Sequence, residues 1–148
     1  MSLYLDASVL VALLTHDSLT QRAEALLQAH PQPLILSDFA AAEFASALAR
    51  RVRTAELTAA EARSAFTTLD LWAARATQRA ETTALDVATA GAFLRRLDLP
   101  LRTPDALNIA IAHRLGATLA TFDTKMAAAA DALGLTMPAP AGVARGGR

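Results

Sequence analysis

Apolar residues in this chain come in clusters of three, and between those clusters they recur every three or four positions; the first pattern suits short buried strands and the second suits helices. Leu3-Tyr4-Leu5 stands before Asp6, and the run Val9 to Leu14 then reads as a helix ending near Thr15-His16-Asp17. Ser18 to Ala29 places Leu19, Ala23, Leu26 and Leu27 at helical spacing, and Pro31 and Pro33 stop that helix before a strand at Leu34-Ile35-Leu36. Ser37 or Asp38 caps a helix running to about Arg53, and Thr58 with Glu61 makes a capping box for another through about Arg79. Thr82-Thr83-Ala84-Leu85 reads as a third strand and Asp86 to Leu97 as a helix. Thr103-Pro104 opens the next helix, which Gly116 closes. Thr118 to Thr121 is a fourth strand, Asp123 to Leu133 a helix ended by Gly134, and Leu135-Thr136-Met137 an edge strand.

Helices alternating with short apolar strands predict an α/β fold: three layers, α/β/α, around a parallel sheet of four to five strands joined by right-handed crossovers. One domain is expected over residues 1–137. From Pro138 to Arg148 the sequence loses periodicity and turns to Ala, Pro, Gly and Arg, as expected of a disordered tail.

Composition narrows the chemistry. A chain of 148 residues is long enough to carry a sizeable core without staples, and the absence of cysteine excludes disulfides, zinc-thiolate sites and thiol nucleophiles. The run Val9 to Leu14 is too short for a signal peptide or a membrane span, so a cytoplasmic protein with no membrane partner is expected. Fourteen basic and fourteen acidic residues cancel, leaving no bulk field to attract a polyanion. Lys125 is the only lysine; the Arg bias suits phosphate recognition and equally suits a GC-rich genome.

Four carboxylates, Asp6, Glu43, Asp105 and Asp123, lie at strand-to-helix junctions or just inside helices, among apolar neighbours. In an open parallel sheet such junctions gather at one edge, where ligands bind. Burying unpaired charge costs several kcal/mol to order of magnitude, so a cation is the simplest partner for such a group. Hard divalent ions take oxygen ligands, and no His pair is spaced for zinc or iron. Taken singly, Asp6 and Asp123 also read as plain helix caps, and Asp105 as a partner of the helix dipole. Glu43 has no such second reading, because Phe39, Ala40, Ser46 and Ala47 share its helix face.

Leu5-Asp6-Ala7-Ser8-Val9-Leu10, Ala42-Glu43-Phe44, Thr103-Pro104-Asp105-Ala106-Leu107-Asn108-Ile109-Ala110 and Leu119-Ala120-Thr121-Phe122-Asp123, in that order, resemble the motifs of PIN-domain ribonucleases. More narrowly, the chain resembles the VapC-type toxins of toxin–antitoxin pairs. The resemblance spans roughly residues 2–137. It implies that Asp6, Glu43, Asp105 and Asp123 bind Mg²⁺ or Mn²⁺, and that the hydroxyls of Ser8 and Thr121 steady those acids or hold a water. It further implies metal-assisted hydrolysis of RNA leaving a 5′-phosphate, a homodimer, and a small antitoxin whose segment crosses an apolar groove.

Phosphate contacts fall to arginines, with Arg50, two turns beyond Glu43, the first candidate; Arg51, Arg53, Arg95, Arg96, Arg102 and Arg114 read equally as solvated surface. Asn108, one turn after Asp105, reaches substrate or a metal-bound water, or is an ordinary amide. His16, His30 and His113 read as structural or exposed. Trp72 packs between helices or stacks on a base. The runs Val9 to Leu14 and Leu19 to Leu27 are more apolar than one buried face requires, which suits either a groove or dimer seam or simply the core. Competing readings are a catalytically silent interaction module and a haloacid-dehalogenase-type phosphatase. The latter needs a second Asp where this chain has Ser8.

Overall fold

β1 (Leu3–Leu5) is flanked by its parallel neighbours β2 (Leu34–Ser37) and β4 (Thr118–Ala120), and β3 (Thr77–Ala80) completes a four-stranded sheet of order β3-β2-β1-β4 in the computed structural model, which describes residues 1–138. The tail expected from Pro138 onward lies outside the described residues apart from Pro138 itself. Between the strands run α1 (Ala7–Leu14), α2 (Thr20–Ala29), α3 (Asp38–Arg53), α4 (Ala59–Ala76), α5 (Ala84–Arg95), α6 (Thr103–Arg114) and α7 (Thr124–Ala132). The order of chain and sheet disagree at one place. The chain leaves β1 toward β2 and β3 and returns to β4 on the other side of β1, so the carboxyl ends of β1 and β4 form the switch point at which open parallel sheets bind ligands.

Alternation along each strand builds the two outer layers. Leu3 and Leu5 face a core completed by Val9, Leu10, Ala40, Phe44, Leu48 and Leu69 from α1, α3 and α4, whereas Tyr4, between them, faces Ile109, Ile111, Met126 and Ala130 from α6 and α7. Ile35 and Leu36 divide in the same way, as do Leu119 and Ala120. Leu13, Leu14, Leu19, Leu26, Leu27 and Trp72 pack against the first core, so core packing accounts for the apolar run of α1 and α2 and for Trp72.

Four expectations are corrected. The third strand is Thr77–Ala80, not Thr82–Leu85, and α4 stops at Ala76 rather than near Arg79. An edge strand pairs on one side only, and with Gln78 and Arg79 exposed it has no apolar cluster to betray it. Thr83 instead caps α5, its hydroxyl accepting from the Asp86 N–H (3.3 Å) while the Asp86 carboxylate accepts from the Thr83 N–H (2.8 Å). Leu135-Thr136-Met137 is not a strand: one bond, Leu119 N–H to the Thr136 carbonyl (3.1 Å), does not make a ladder. Arg114 is not solvated surface either. It grips Asp86, which is 1 % exposed, through Nε (2.7 Å) and Nη2 (3.0 Å), and Nη2 also reaches the Glu81 carbonyl (2.9 Å).

Candidate active site

Asp6 leaves β1 with its backbone N–H still bonded to the Ala120 carbonyl of β4 (3.2 Å), then turns in extended geometry to cap α1. It is 5 % exposed. Oδ1 accepts from the Val9 N–H (3.2 Å) and the Ser8 hydroxyl (2.6 Å), and Oδ2 accepts from the Thr121 hydroxyl (2.5 Å). Burial still dominates: it lifts the Asp6 carboxyl above its ordinary value against the opposing pull of the bonds from Ser8, Thr121 and Val9.

The same two hydroxyls tie the turn after β4 to Asp6. Thr121 Oγ1 accepts the Asp123 N–H (3.0 Å) and Ser8 Oγ accepts the Phe122 N–H (2.9 Å). Asp123 then caps α7, Oδ1 accepting from the N–H groups of Lys125 and Met126, both at 3.0 Å. Its Oδ2 makes no hydrogen bond among the described residues. Asp105, in the first turn of α6, uses one oxygen in the same manner: Oδ2 accepts from the Arg102 N–H (3.1 Å). Three acids therefore cap or line helix N-termini, where the partial positive charge of the helix favours a carboxylate. Capping engages only one oxygen of Asp105 and of Asp123, so it does not compete with binding at the other.

Glu43 sits on the second turn of α3, half-buried, with Oε1 accepting from Asn108 Nδ2 (2.6 Å). Burial raises its carboxyl above the ordinary value; the Asn108 bond lowers it, the charges of Asp6 and Asp105 raise it, and the Arg102 guanidinium lowers it. Glu43 thus feels both neighbouring acids. Asn108, 2 % exposed, is no ordinary surface amide: its Nδ2 also donates to the Pro104 carbonyl (3.1 Å), and its Oδ1 accepts from the buried Tyr4 hydroxyl (2.6 Å).

The donor set suits a hard divalent cation. It is all oxygen, it is short of positive charge, and burial penalises the ionised forms of Asp6 and Glu43 until a cation compensates them. Among the described residues no three His, Asp or Glu side chains are grouped tightly enough to form a ready-made cage. Mg²⁺ does not need one, since it usually binds through one or two carboxylates and keeps several waters.

The arginines differ in what they meet. Arg50 is exposed near the end of α3, about 10 Å along the helix from Glu43 at 1.5 Å per residue. Arg51 is bound to Asp17 (3.1 Å) and Arg22 lies over the Phe122 ring at 5.1 Å. The cation beside the acids is Arg102, its Nε 3.8 Å from Asp105 Oδ2 and its side chain 83 % exposed. The sequence leaves Arg102 open between phosphate contact and solvated surface, and its place just before Thr103-Pro104-Asp105 is the signal that sets it apart. A cleft of about 390 Å³ lined by Leu14, His16, Leu57, Glu61, Ala65 and Thr68 contains none of the four acids.

The architecture has solved counterparts. The chain is similar to the VapC20 toxin of Mycobacterium tuberculosis, described as cleaving the sarcin-ricin loop, with 22% identity, a TM-score of 0.70 and coverage of 86% of this chain and 94% of that one. It is also similar to VapBC2 of Rickettsia felis, solved on a promoter DNA fragment (18% identity, TM-score 0.66, 93% and 97% covered), and to FitAcB of Neisseria gonorrhoeae (20%, 0.64, 93% and 97%). At such identities the likeness speaks for the fold. No curated protein sequence matches the chain. A family model, that of the PIN domain, matches residues 3–132, and the chain accordingly belongs to the PIN-domain family.

Proposed function

We propose that the protein is a metal-dependent endoribonuclease of the cytoplasm, and the toxin of a type II toxin–antitoxin pair. One observation carries the catalytic part: Asp6 is buried at the switch point of the sheet with its proton affinity raised, and Glu43 is raised in turn by burial and by the charges of Asp6 and Asp105. Such a cluster calls for a cation. Asp6, Glu43, Asp105 and Asp123 are the residues that would hold Mg²⁺ or Mn²⁺, which when bound would stabilise charge on a phosphodiester and acidify a water. Ser8 and Thr121 fix both oxygens of Asp6, and Glu43, with its raised proton affinity, is suited to accept a proton from that water. The solved structures named above, which include antitoxin complexes, support the toxin reading and with it a small antitoxin as partner; a homodimer is part of the same proposal.

Purified protein is expected to cleave RNA with Mg²⁺ or Mn²⁺ and to stop when a chelator is added, with Glu43→Gln depressing the rate. Cleavage that survives chelation, or a Glu43→Gln protein as active as the parent, would rule out this chemistry and leave a silent PIN module.

For phosphate we place Arg102 ahead of Arg50, because among the described residues it alone is coupled to Glu43 and Asp105 while most of its side chain stays open. Arg102→Ala is expected to raise KM for RNA about tenfold, the worth of one charge-assisted contact, with kcat little changed. The dependence of KM on salt should flatten by roughly one ion. An unaltered KM would return the role to Arg50.

A further inference from the structure

A one-way chain of buried hydrogen bonds ends on Glu43. Tyr4, 0 % exposed at the centre of β1, donates its only hydroxyl proton to Asn108 Oδ1, because an amide oxygen can only accept. The 2.7 Å bond between Tyr4 and Ser37 must therefore run from the Ser37 hydroxyl to the Tyr4 oxygen. Ser37 is itself held, its oxygen accepting the Ala40 N–H (2.9 Å) as the cap of α3. At the other end Asn108 has no freedom to flip, since turning it over would set Oδ1 against the Glu43 carboxylate and the Pro104 carbonyl, both acceptors. The direction Ser37 to Tyr4 to Asn108 to Glu43 is thus dictated at every joint.

Packing does not explain Tyr4. Its strand neighbours Leu3 and Leu5 are aliphatic, and Phe would fill the same space against Ile109, Ile111 and Met126 without a hydroxyl to satisfy. What the hydroxyl adds is a fixed Asn108, and through it a fixed Glu43: with Oε1 held by Asn108, the other carboxylate oxygen is left for the site. The chain joins β1, the end of β2, α3 and α6, the elements that carry or adjoin three of the four acids.

We propose that Tyr4 is a positioning residue, which through Asn108 sets the rotamer of Glu43 and so the oxygen it presents to substrate water and metal. The proposal rests on the nuclease reading above. Tyr4→Phe is expected to lower kcat about tenfold or more while KM for RNA stays put, as for removal of a group that orients a ligand rather than binds substrate. In an Asn108→Ala background the same substitution should cost nothing further, because the chain is already cut. A merely structural Tyr4 would lower the melting temperature and leave kcat per folded molecule intact well below melting.

A second readout does not depend on activity. The Asn108 side-chain amide protons, identified in NMR spectra by their disappearance in Asn108→Ala, should lose exchange protection in Tyr4→Phe. Asp6→Asn run alongside separates the two readings. If Asp6→Asn is dead and Tyr4→Phe keeps the parent's kcat, the positioning role is overturned and the nuclease stands; if Asp6→Asn cleaves normally, the nuclease reading falls and the exchange measurement alone decides the chain, unchanged protection overturning it. Should Tyr4→Phe not fold, Ser37→Ala removes the far donor and is expected to lower kcat and protection in the same sense; parent values for both overturn the proposal.

Discussion

Asp6→Asn is expected to abolish cleavage, by about 10²- to 10³-fold or more for loss of one electrostatic anchor of the transition state, and at the same time to make the metal-free protein more stable near neutral pH. The second half follows from the burial of Asp6. Its carboxyl is lifted above the ordinary value, so between that value and the raised one the native state binds more protons than the unfolded chain. Stability of the metal-free parent therefore falls as pH rises through that window, and stays lower above it. Asn carries no charge to desolvate. Its Oδ1 keeps the bonds from Val9 and Ser8, and its Nδ2 donates to Thr121, whose proton is free to swing away. A gain on the order of 1 kcal/mol would raise the melting midpoint by about 2–4 °C in a domain of this size. The gain should appear near pH 7 and vanish in acid. Mg²⁺ or Mn²⁺ should then raise the midpoint of the parent and not of the variant, since a ion bound only to the native state stabilises it by mass action. A variant that melts below the parent at pH 7, or that still cleaves, would contradict the role given to Asp6.

That outcome also bears on what the sequence made legible. β1, β2 and β4 are readable because each is an apolar cluster buried on both faces and followed by a capping residue, Asp6, Ser37 or Asp123. β3 is not, because Thr77-Gln78-Arg79-Ala80 has only β2 to pair with and shows two polar side chains to solvent, so nothing local separates it from the helix before it. The acids themselves could be picked out, but the sequence posed capping and metal binding as rivals. In the fold the capping role is plain for all three, since Asp6, Asp105 and Asp123 each accept backbone N–H groups at the N-termini of α1, α6 and α7; under the proposed function the oxygens that capping leaves open on Asp105 and Asp123 are the ones that would meet a cation. Hidden from the sequence were partners brought together only by parallel pairing and helix packing. Tyr4 meets Ser37 across 33 positions and Asn108 across 104, and no spacing rule reaches that far.

Arg114→Ala is expected to cost the protein about 3–5 kcal/mol, the usual loss when one partner of a buried ion pair is removed, and to lower the melting midpoint by about 10 °C. Asp86 is the reason. It is 1 % exposed, and burial alone would raise its carboxyl; the two bonds from Arg114, those from Thr83 and the guanidinium charge outweigh that and hold it below its ordinary value. Without Arg114 the carboxylate keeps the Thr83 N–H but faces no positive charge. Asp86→Ala should be milder, because the Arg114 side chain is 28 % exposed and can turn to water. The double variant Asp86→Leu with Arg114→Met should recover much of the loss, as apolar replacements of buried pairs often do. Acid should mimic the single variant. A carboxyl with a depressed native value contributes stability above the ordinary carboxylate range and loses it as pH falls toward the depressed value, so parent and Arg114→Ala should converge in midpoint at low pH. The pair also bolts α5 to α6, and α6 carries Asp105, Asn108 and, at its start, Arg102. Loosening α6 should therefore weaken cleavage beyond the fraction unfolded. Measured by circular dichroism and RNA cleavage at the same temperature, Arg114→Ala with the parent's midpoint would refute the ion pair as a structural bolt, whereas a lower midpoint with undiminished rate per folded molecule would show that α6 holds its place through packing alone.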